Sequence, residues 1–160
     1  MRSRPSVAVA ALLTAATVPA PAQADPAEAA LNGRFTVISD GNFAKTNDRR
    51  QNQVTVTSTW TIATTCTSVL DCTGEVHSDQ GWSAPVSFTR PVWYVTRTVP
   101  NWMPCPDGTF VDGQQMFKFF VDEFDEPLLR GWDNTVAPSG ACGVNKVTNI
   151  EMPLKLIPID

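Results

Sequence analysis

His77 is the only histidine in the chain, and Glu75 and Asp79 flank it at two-residue spacing. In an extended segment that spacing sets all three side chains on one face. A carboxylate beside an imidazole is the first half of a general-base arrangement. The second half is missing, because no Gly-x-Ser-x-Gly elbow and no nucleophilic cysteine stands elsewhere. The simpler reading is a polar strand edge. Asp122-Glu123-Phe124-Asp125-Glu126 is the densest acidic run and offers the oxygen ligands that calcium takes. It lacks the spacing and the glycine of a calcium loop. The same carboxylates suit glycoside hydrolysis only if a fold sets two of them across a cleft. No catalytic residue, metal ligand or cofactor is therefore expected.

Four cysteines, Cys66, Cys72, Cys105 and Cys142, permit three pairings. Cys66 and Cys72 follow one strong strand and precede a shorter one, so a bridge between them pins the loop of a hairpin. The remaining bridge, Cys105–Cys142, then ties a mid-chain loop to the C-terminal region. The metal alternative needs a different pattern. The spacings here are Cys-x5-Cys and Cys-x36-Cys, without the paired Cys-x2-Cys of a zinc site.

Among the five tryptophans, Trp60, Trp82 and Trp93 fall on apolar strand faces and read as core. Trp102, in Pro-Asn-Trp-Met-Pro, and Trp132, in Arg-Gly-Trp-Asp-Asn, have no such periodicity and read as loop residues. Loop tryptophans either fold back on the core or stack on a ligand at a pocket mouth. Asn101, Trp102 and Trp132 are thus the candidate ligand contacts.

These residues must be held by strands. In residues 54–62, Val54, Val56, Trp60 and Ile62 share one face, interrupted by Ser58, while Thr55, Thr57, Thr59 and Thr61 form the other. Period-two alternation over nine residues marks a half-buried strand, and branched Cβ atoms suit its pleat. The same alternation recurs through Phe35, Val37 and Ser39; through Trp82, Ala84, Val86 and Phe88; and through Trp93, Val95 and Val99, with Arg97 between. It returns through Phe117, Phe119 and Val121, and through Ile150, Met152, Leu154 and Leu156. Residues 74–78 form a shorter candidate. Pro85 and Pro153 lack an N–H, so their strands are expected at an edge or a bulge. Asp-Gly at 40–41, 107–108 and 112–113 and Pro-Ser-Gly at 138–140 supply reversals. The expected fold is all-β: one antiparallel meander of seven or eight strands, a barrel in preference to a sandwich, because closure removes the edges.

The N-terminus adds the compartment. Arg2 and Arg4 precede an uncharged, largely apolar run over residues 7–18, and Ala22-Gln23-Ala24 matches the small-x-small pattern of a cleavage site. Twelve residues are too few to span a bilayer as a helix. Residues 1–24 are therefore expected to be a secretory signal peptide, 25–31 a short tether and 32–160 a single secreted β domain. The leader carries two of the chain's 12 basic residues and none of its 16 acids, so cleavage takes the net charge from −4 to −6. An acidic chain is a poor match for nucleic acid or for anionic membrane surfaces. No later segment is apolar enough for a membrane span. Export also favours disulfides over zinc.

Several landmarks together resemble a group of small secreted proteins from mycobacteria and related actinobacteria. They are Ser58-Thr59-Trp60-Thr61-Ile62, Cys66 and Cys72, Ser78-Asp79-Gln80-Gly81-Trp82, Pro104-Cys105-Pro106-Asp107-Gly108-Thr109, Gly140-Ala141-Cys142-Gly143 and Met152-Pro153-Leu154-Lys155-Leu156. The resemblance runs over nearly the whole mature chain and implies export, cysteine pairing and an envelope or extracellular location. It implies no activity and no catalytic residue.

The leading functional expectation is a secreted, non-catalytic domain that binds a small ligand or an envelope or host partner. The alternatives are an interaction module with a filled core and, third, a glycan-directed hydrolase. N-terminal sequencing of secreted material is expected to read Asp25-Pro26-Ala27. An intact leader in the medium would refute export by this signal.

Overall fold

The computed structural model describes residues 25–159; the expected leader, residues 1–24, lies outside them. Ten strands follow one another: β1 (Gly33–Ser39), β2 (Lys45–Thr46), β3 (Arg49–Arg50), β4 (Val56–Ser68), β5 (Asp71–Ser78), β6 (Ser83–Thr89), β7 (Val92–Pro104), β8 (Phe110–Val121), β9 (Leu129–Ala137) and β10 (Thr148–Ile159). Every pairing is antiparallel. From β4 to β10 each strand pairs with the next, and β1 closes the sheet by pairing with both β4 and β10. Eight strands thus form a closed barrel, and β2–β3 is a small hairpin laid on β10 through Ile150 and Glu151.

Alternation explains the interior. Phe35 and Val37 on β1, Trp60 and Ile62 on β4, Val86 on β6, Val95 on β7, Phe119 on β8 and Leu154 and Leu156 on β10 are all buried. Fully burying one such side chain contributes on the order of 1.5–3 kcal/mol. The prolines obey their chemistry. The β6–β7 ladder runs only from Val86 to Thr89, so Pro85 lies beyond it. On β10, Pro153 pairs with Trp132 of β9 but falls between the residues that pair with β1 and those that pair with β2. Both occupy local edges inside a closed barrel.

The two ends of the barrel differ. At the lower end, residues 25–32, the segment expected as a tether, fold onto the opening. Asp25 caps the short 3-10 turn Pro26–Ala29 by accepting the Ala27 N–H at 2.9 Å. Ala29 and Leu31 pack against the core beside Cys66 and Cys72. The Thr64 hydroxyl donates to the Leu31 carbonyl at 3.0 Å and accepts the Leu31 N–H at 2.8 Å, and the Asn32 side chain accepts the Thr64 N–H at 2.7 Å.

At the upper end, β7 and β8 run past the barrel wall as an arm. Between Val99↔Gly113 and Met103↔Val111 the β7 side carries two extra residues, a bulge. Asn101 takes φ 52° there, a conformation that Asn tolerates better than most residues, and the Asp112 side chain accepts its N–H at 2.9 Å. The disulfide Cys105–Cys142 fastens the tip of this arm to the β9–β10 connection. The other bridge, Cys66–Cys72, joins directly opposed residues of the β4–β5 hairpin. Both pairings are those expected from the sequence.

Two segments differ from the sequence reading. Residues 100–104 are the distal part of β7 rather than a loop, because the bulge breaks the alternation without breaking the ladder. Trp132 lies in the middle of β9, a strand that the apolar pattern does not show. The inward positions of β9 are Leu129, Gly131, Asp133, Thr135 and Ala137, all buried and only two of them apolar enough to register as core. Gly131 is required, since a Cβ there would overlap the Lys118 carbonyl of β8.

Removing both cysteines of each bridge by alanine substitution is expected to cost about 3.9 kcal/mol for Cys105–Cys142 and about 2.4 kcal/mol for Cys66–Cys72, because the longer loop restricts the unfolded chain more. Urea unfolding of the two double variants measures the order. A larger loss at Cys66–Cys72 would show that its buried position, not loop length, dominates.

Candidate functional site

A cavity of about 260 Å³ opens at the upper end of the barrel. Its upper rim is apolar: Val54, Val56, Trp102, Ile150 and Met152. Aromatic walls lie below, with Trp60 edge-on to Trp82 at 5.3 Å and to Phe117 at 4.8 Å, and Trp82 stacked parallel to Phe117 at 6.0 Å. Such pairs add about 0.5–1.5 kcal/mol each beyond their buried area. They give the cavity flat, rigid walls.

Trp102 reaches the mouth because of the β7 bulge and a glycine opposite. A Cβ on Gly113 would stand 2.8 Å from the Trp102 ring and 2.7 Å from the Thr135 methyl. Only glycine lets the indole lie against β8. On the opposite lip, Gln53 and Val54 belong to the connection from β3 to β4, tied down by the Gln53 N–H donating to the Gly41 carbonyl at 2.8 Å.

Inside the mouth runs a polar belt. The Ser39 hydroxyl donates to Asp133 Oδ2 at 2.7 Å, Gln115 Nε2 donates to Asp133 Oδ1 at 2.8 Å, and Arg97 Nε donates to Gln115 Oε1 at 2.7 Å. The Arg97 guanidinium lies over the Trp82 ring, 4.3 Å from its centre. Cation–π contact of this kind is worth up to about 2 kcal/mol when desolvated. Asp133 is only 2% exposed. Burial pushes its carboxyl above the ordinary carboxylate range, and the hydrogen bonds from Gln115 and Ser39 and the charge of Arg97 offset this only in part. Burial likewise lowers the pKa of Arg97, against the opposing pull of Asp133. Arg97 and Asp133 are joined only through the Gln115 amide, and taking opposite charges partly out of water in this way is weak evidence for stability.

Trp60 also lines this cavity. Its indole N–H is buried and has no hydrogen-bond partner among the described residues. Buried donors are almost always paired, so each exception calls for a cause.

Of the residues proposed from sequence as ligand contacts, Trp102 lines the cavity. Asn101 is exposed and forms the bulge that aims Trp102 inward. Trp132 is half-exposed on the outer face of β9, against Phe120 at 6.0 Å, and borders a separate shallow groove with Pro153 and Lys155. Arg97, Gln115 and Asp133 were not singled out by sequence reasoning. Their signal was present as interruptions, since Arg97, Ser58 and Ser39 stand at inward positions of otherwise apolar strands.

His77 lies on the outer wall. Its Nδ1 is 2.7 Å from the Ser83 hydroxyl, its cross-strand neighbour, and its Nε2 is 3.5 Å from Glu75. Both His77 and Glu75 are more than half exposed. The depression beside them, lined by Arg34, Thr59, Thr61 and Asp79, is shallow and open to solvent. In the acidic run, Asp122 is buried and ion-paired with Arg130, while Phe124 stands free in solvent at the tip of the loop. No group of three or more potential metal ligands occurs among the described residues. No helix among them is long and apolar enough to cross a membrane.

No family model and no curated protein sequence matches the chain. The fold is similar to a solved structure, a monomeric form of the PknI sensor domain of M. tuberculosis. That likeness has a TM-score of 0.62 at 13% identity and covers 89% of this chain and 90% of that one. At this identity the likeness is one of fold.

The raised carboxyl of Asp133 has a consequence for stability. The native state holds this proton to higher pH than the unfolded chain does, so Asp133 contributes a fall in stability as pH rises from the ordinary carboxylate value to its own raised one. In Asp133→Asn that contribution vanishes. Urea midpoints measured against pH are expected to show a flatter decline in the variant, by up to about 1.4 kcal/mol per pH unit within the window. Parallel curves for the two proteins would show that Asp133 titrates normally.

Proposed function

We propose that this chain is a secreted, non-catalytic β-barrel domain that binds a small ligand at the open end of its barrel. One observation carries the reading: one end of the barrel carries a cavity with a buried polar belt, whereas at the other the N-terminal segment packs against the core. A domain built only for stability gains little by placing Asp133 and Arg97 inside, because well-packed apolar residues do as well or better there. Polar groups converging on an apolar, largely preformed cavity are what small-molecule sites share. The two disulfides agree with an exported protein. The likeness to a solved sensor domain supports ligand recognition as the use of this fold, by analogy of fold. Location in the envelope or outside the cell follows from the expected leader. Contact with an envelope or host protein is a compatible second role for the loops around the mouth.

The competing reading is a surface hydrolase built on Ser83, His77 and Glu75, favoured by the 2.7 Å contact between Ser83 and His77. Against it, the group sits on an open strand face. An oxyanion in water gains little from donors that water can replace.

Both readings meet the same experiment. The indole N–H signals of the tryptophans are followed by NMR while a library of small fragments is titrated. Binding is expected to move the signals of Trp60, Trp82 and Trp102 together and to leave that of Trp132 in place. Trp102→Ala is expected to weaken such binding about tenfold, the loss of one stacking wall. His77→Ala is expected to leave both binding and any background ester hydrolysis unchanged. Fragments that move only Trp132, or ester hydrolysis that disappears with His77, would overturn the proposal.

A further inference from the structure

The donors and acceptors of the polar belt are unequally used. Both oxygens of Asp133 already accept a bond, from Ser39 and from Gln115, and the Gln115 carbonyl accepts from Arg97 Nε. Each carboxylate oxygen keeps a second lone pair, but the atoms of this group left with no partner at all among the described residues are donors. The two terminal nitrogens of Arg97 make no hydrogen bond to another described residue. The Trp60 N–H, on a residue only 1% exposed, has no partner among the described residues either. An acceptor on a ligand would find these donors free, while the Ser58 and Thr135 hydroxyls on the cavity wall can donate or accept.

The geometry of Arg97 narrows the class. With Nε held by Gln115 and one face of the guanidinium covered by Trp82, the free edge is the pair of terminal N–H groups. That edge meets the two oxygens of a carboxylate end-on, a fork-to-fork match that a neutral acceptor fills only singly. Arg97 is the one basic residue among the described residues that line the cavity, and Asp133 is already inside it, so a dianion would meet more repulsion there than a monoanion.

The walls define the rest of the ligand. Trp82 and Phe117 stand parallel within 7°, Trp60 is set nearly at right angles to both, and Trp102 closes the rim. Flat indole faces favour a flat ring, and about 260 Å³ holds a small molecule rather than a long chain.

Resting on the reading of this cavity as a ligand site, we infer that its ligand is a small monocarboxylic acid with a planar ring, the carboxylate seated on the terminal nitrogens of Arg97 and the ring against the half-buried indole of Trp102 at the rim. Trp60 supplies a further donor to an acceptor on the ligand. Specificity then comes from two sources: Arg97 reads the acid group, and the tryptophan walls read the ring.

Matched probes test the class directly on the whole mature chain. Benzoate and its neutral analogue benzamide, with inorganic phosphate and glucose, are titrated at neutral pH while the indole N–H signals are followed. Benzoate is expected to move the Trp60, Trp82 and Trp102 signals and to bind at least about tenfold more tightly than benzamide, the worth of a charge-assisted bond. Arg97→Gln is expected to remove that preference and leave the two probes alike. Circular dichroism checks that the variant folds, and the wild-type comparison of the four probes needs no variant. Benzamide or glucose binding as tightly as benzoate would overturn the carboxylate while leaving a cavity ligand in place. Phosphate alone moving the signals would replace the ring acid by a simple anion. None of the four probes moving these signals, with fragments from the broader library doing so, would overturn the acid class alone; silence from both would overturn the ligand site itself.

Discussion

Closure of the sheet by β1 is the constraint on which the other features depend. Residues 34–39 of β1 pair on one side with β4 and on the other with the last six described residues of β10. This joins the first strand of the domain to its last and leaves no long unpaired ladder to be covered. Closure also fixes an inside and an outside for every strand, because the side-chain period is two and a slip of one residue would exchange the faces. The upper polar belt exists only because Ser39 of β1, Arg97 of β7, Gln115 of β8 and Asp133 of β9 arrive at one level of one barrel.

That level shows how much was readable from the chain alone. Seven strands announce themselves because their inward residues are apolar and their outward residues are Thr, Ser or charged. The threonines of residues 55–61 are the clearest case, with Trp60 and Ile62 behind them. Barrel closure, the cysteine pairing and the local-edge positions of Pro85 and Pro153 follow from strand count and elementary backbone chemistry. β9 does not announce itself. Its inward row runs Leu, Gly, Asp, Thr, Ala, so a hydrophobic pattern finds nothing there. The strand is hidden for the same reason that it matters: it brings Asp133 into the interior.

Of the contacts expected from sequence, one, Trp102, lines the cavity. Trp102 stands out because Pro100, Asn101 and Pro104 surround it and no periodicity claims it. Asn101, expected with it as a contact, stands exposed at the bulge, where it takes a positive φ. Trp132 was read the same way because Gly131 and Asp133 beside it resemble a loop. Glycine serves close approach to β8 there, and the tryptophan faces outward. Arg97 and Gln115 could not be paired with Asp133 from sequence, since the contacts Ser39–Asp133 and Gln115–Asp133 span 94 and 18 positions and depend on strand order and register.

The division of labour along the barrel follows from where polar groups can be tolerated. Buried donors and acceptors need partners, and in a barrel the partners must come from neighbouring strands at the same height. The lower half meets this need with few buried polar side chains: Thr64 is spent on holding the N-terminal segment, and Asp122, just past the end of β8, is ion-paired with Arg130. In the upper half Ser39, Asp133, Gln115 and Arg97 are chained by hydrogen bonds, and the buried Ser58 and Thr135 line the same cavity. A chain of this kind holds each member in one rotamer. Gln115 is fixed at both ends of its amide, and Arg97 is fixed by Gln115 at its Nε and by Trp82 at its face. Preorganisation lowers the ordering cost of association. The arm that carries Trp102 is fastened separately, through Cys105–Cys142 at its tip and the Asn101–Asp112 bond at its bulge. Floor and rim are therefore held by different covalent and hydrogen-bonded supports.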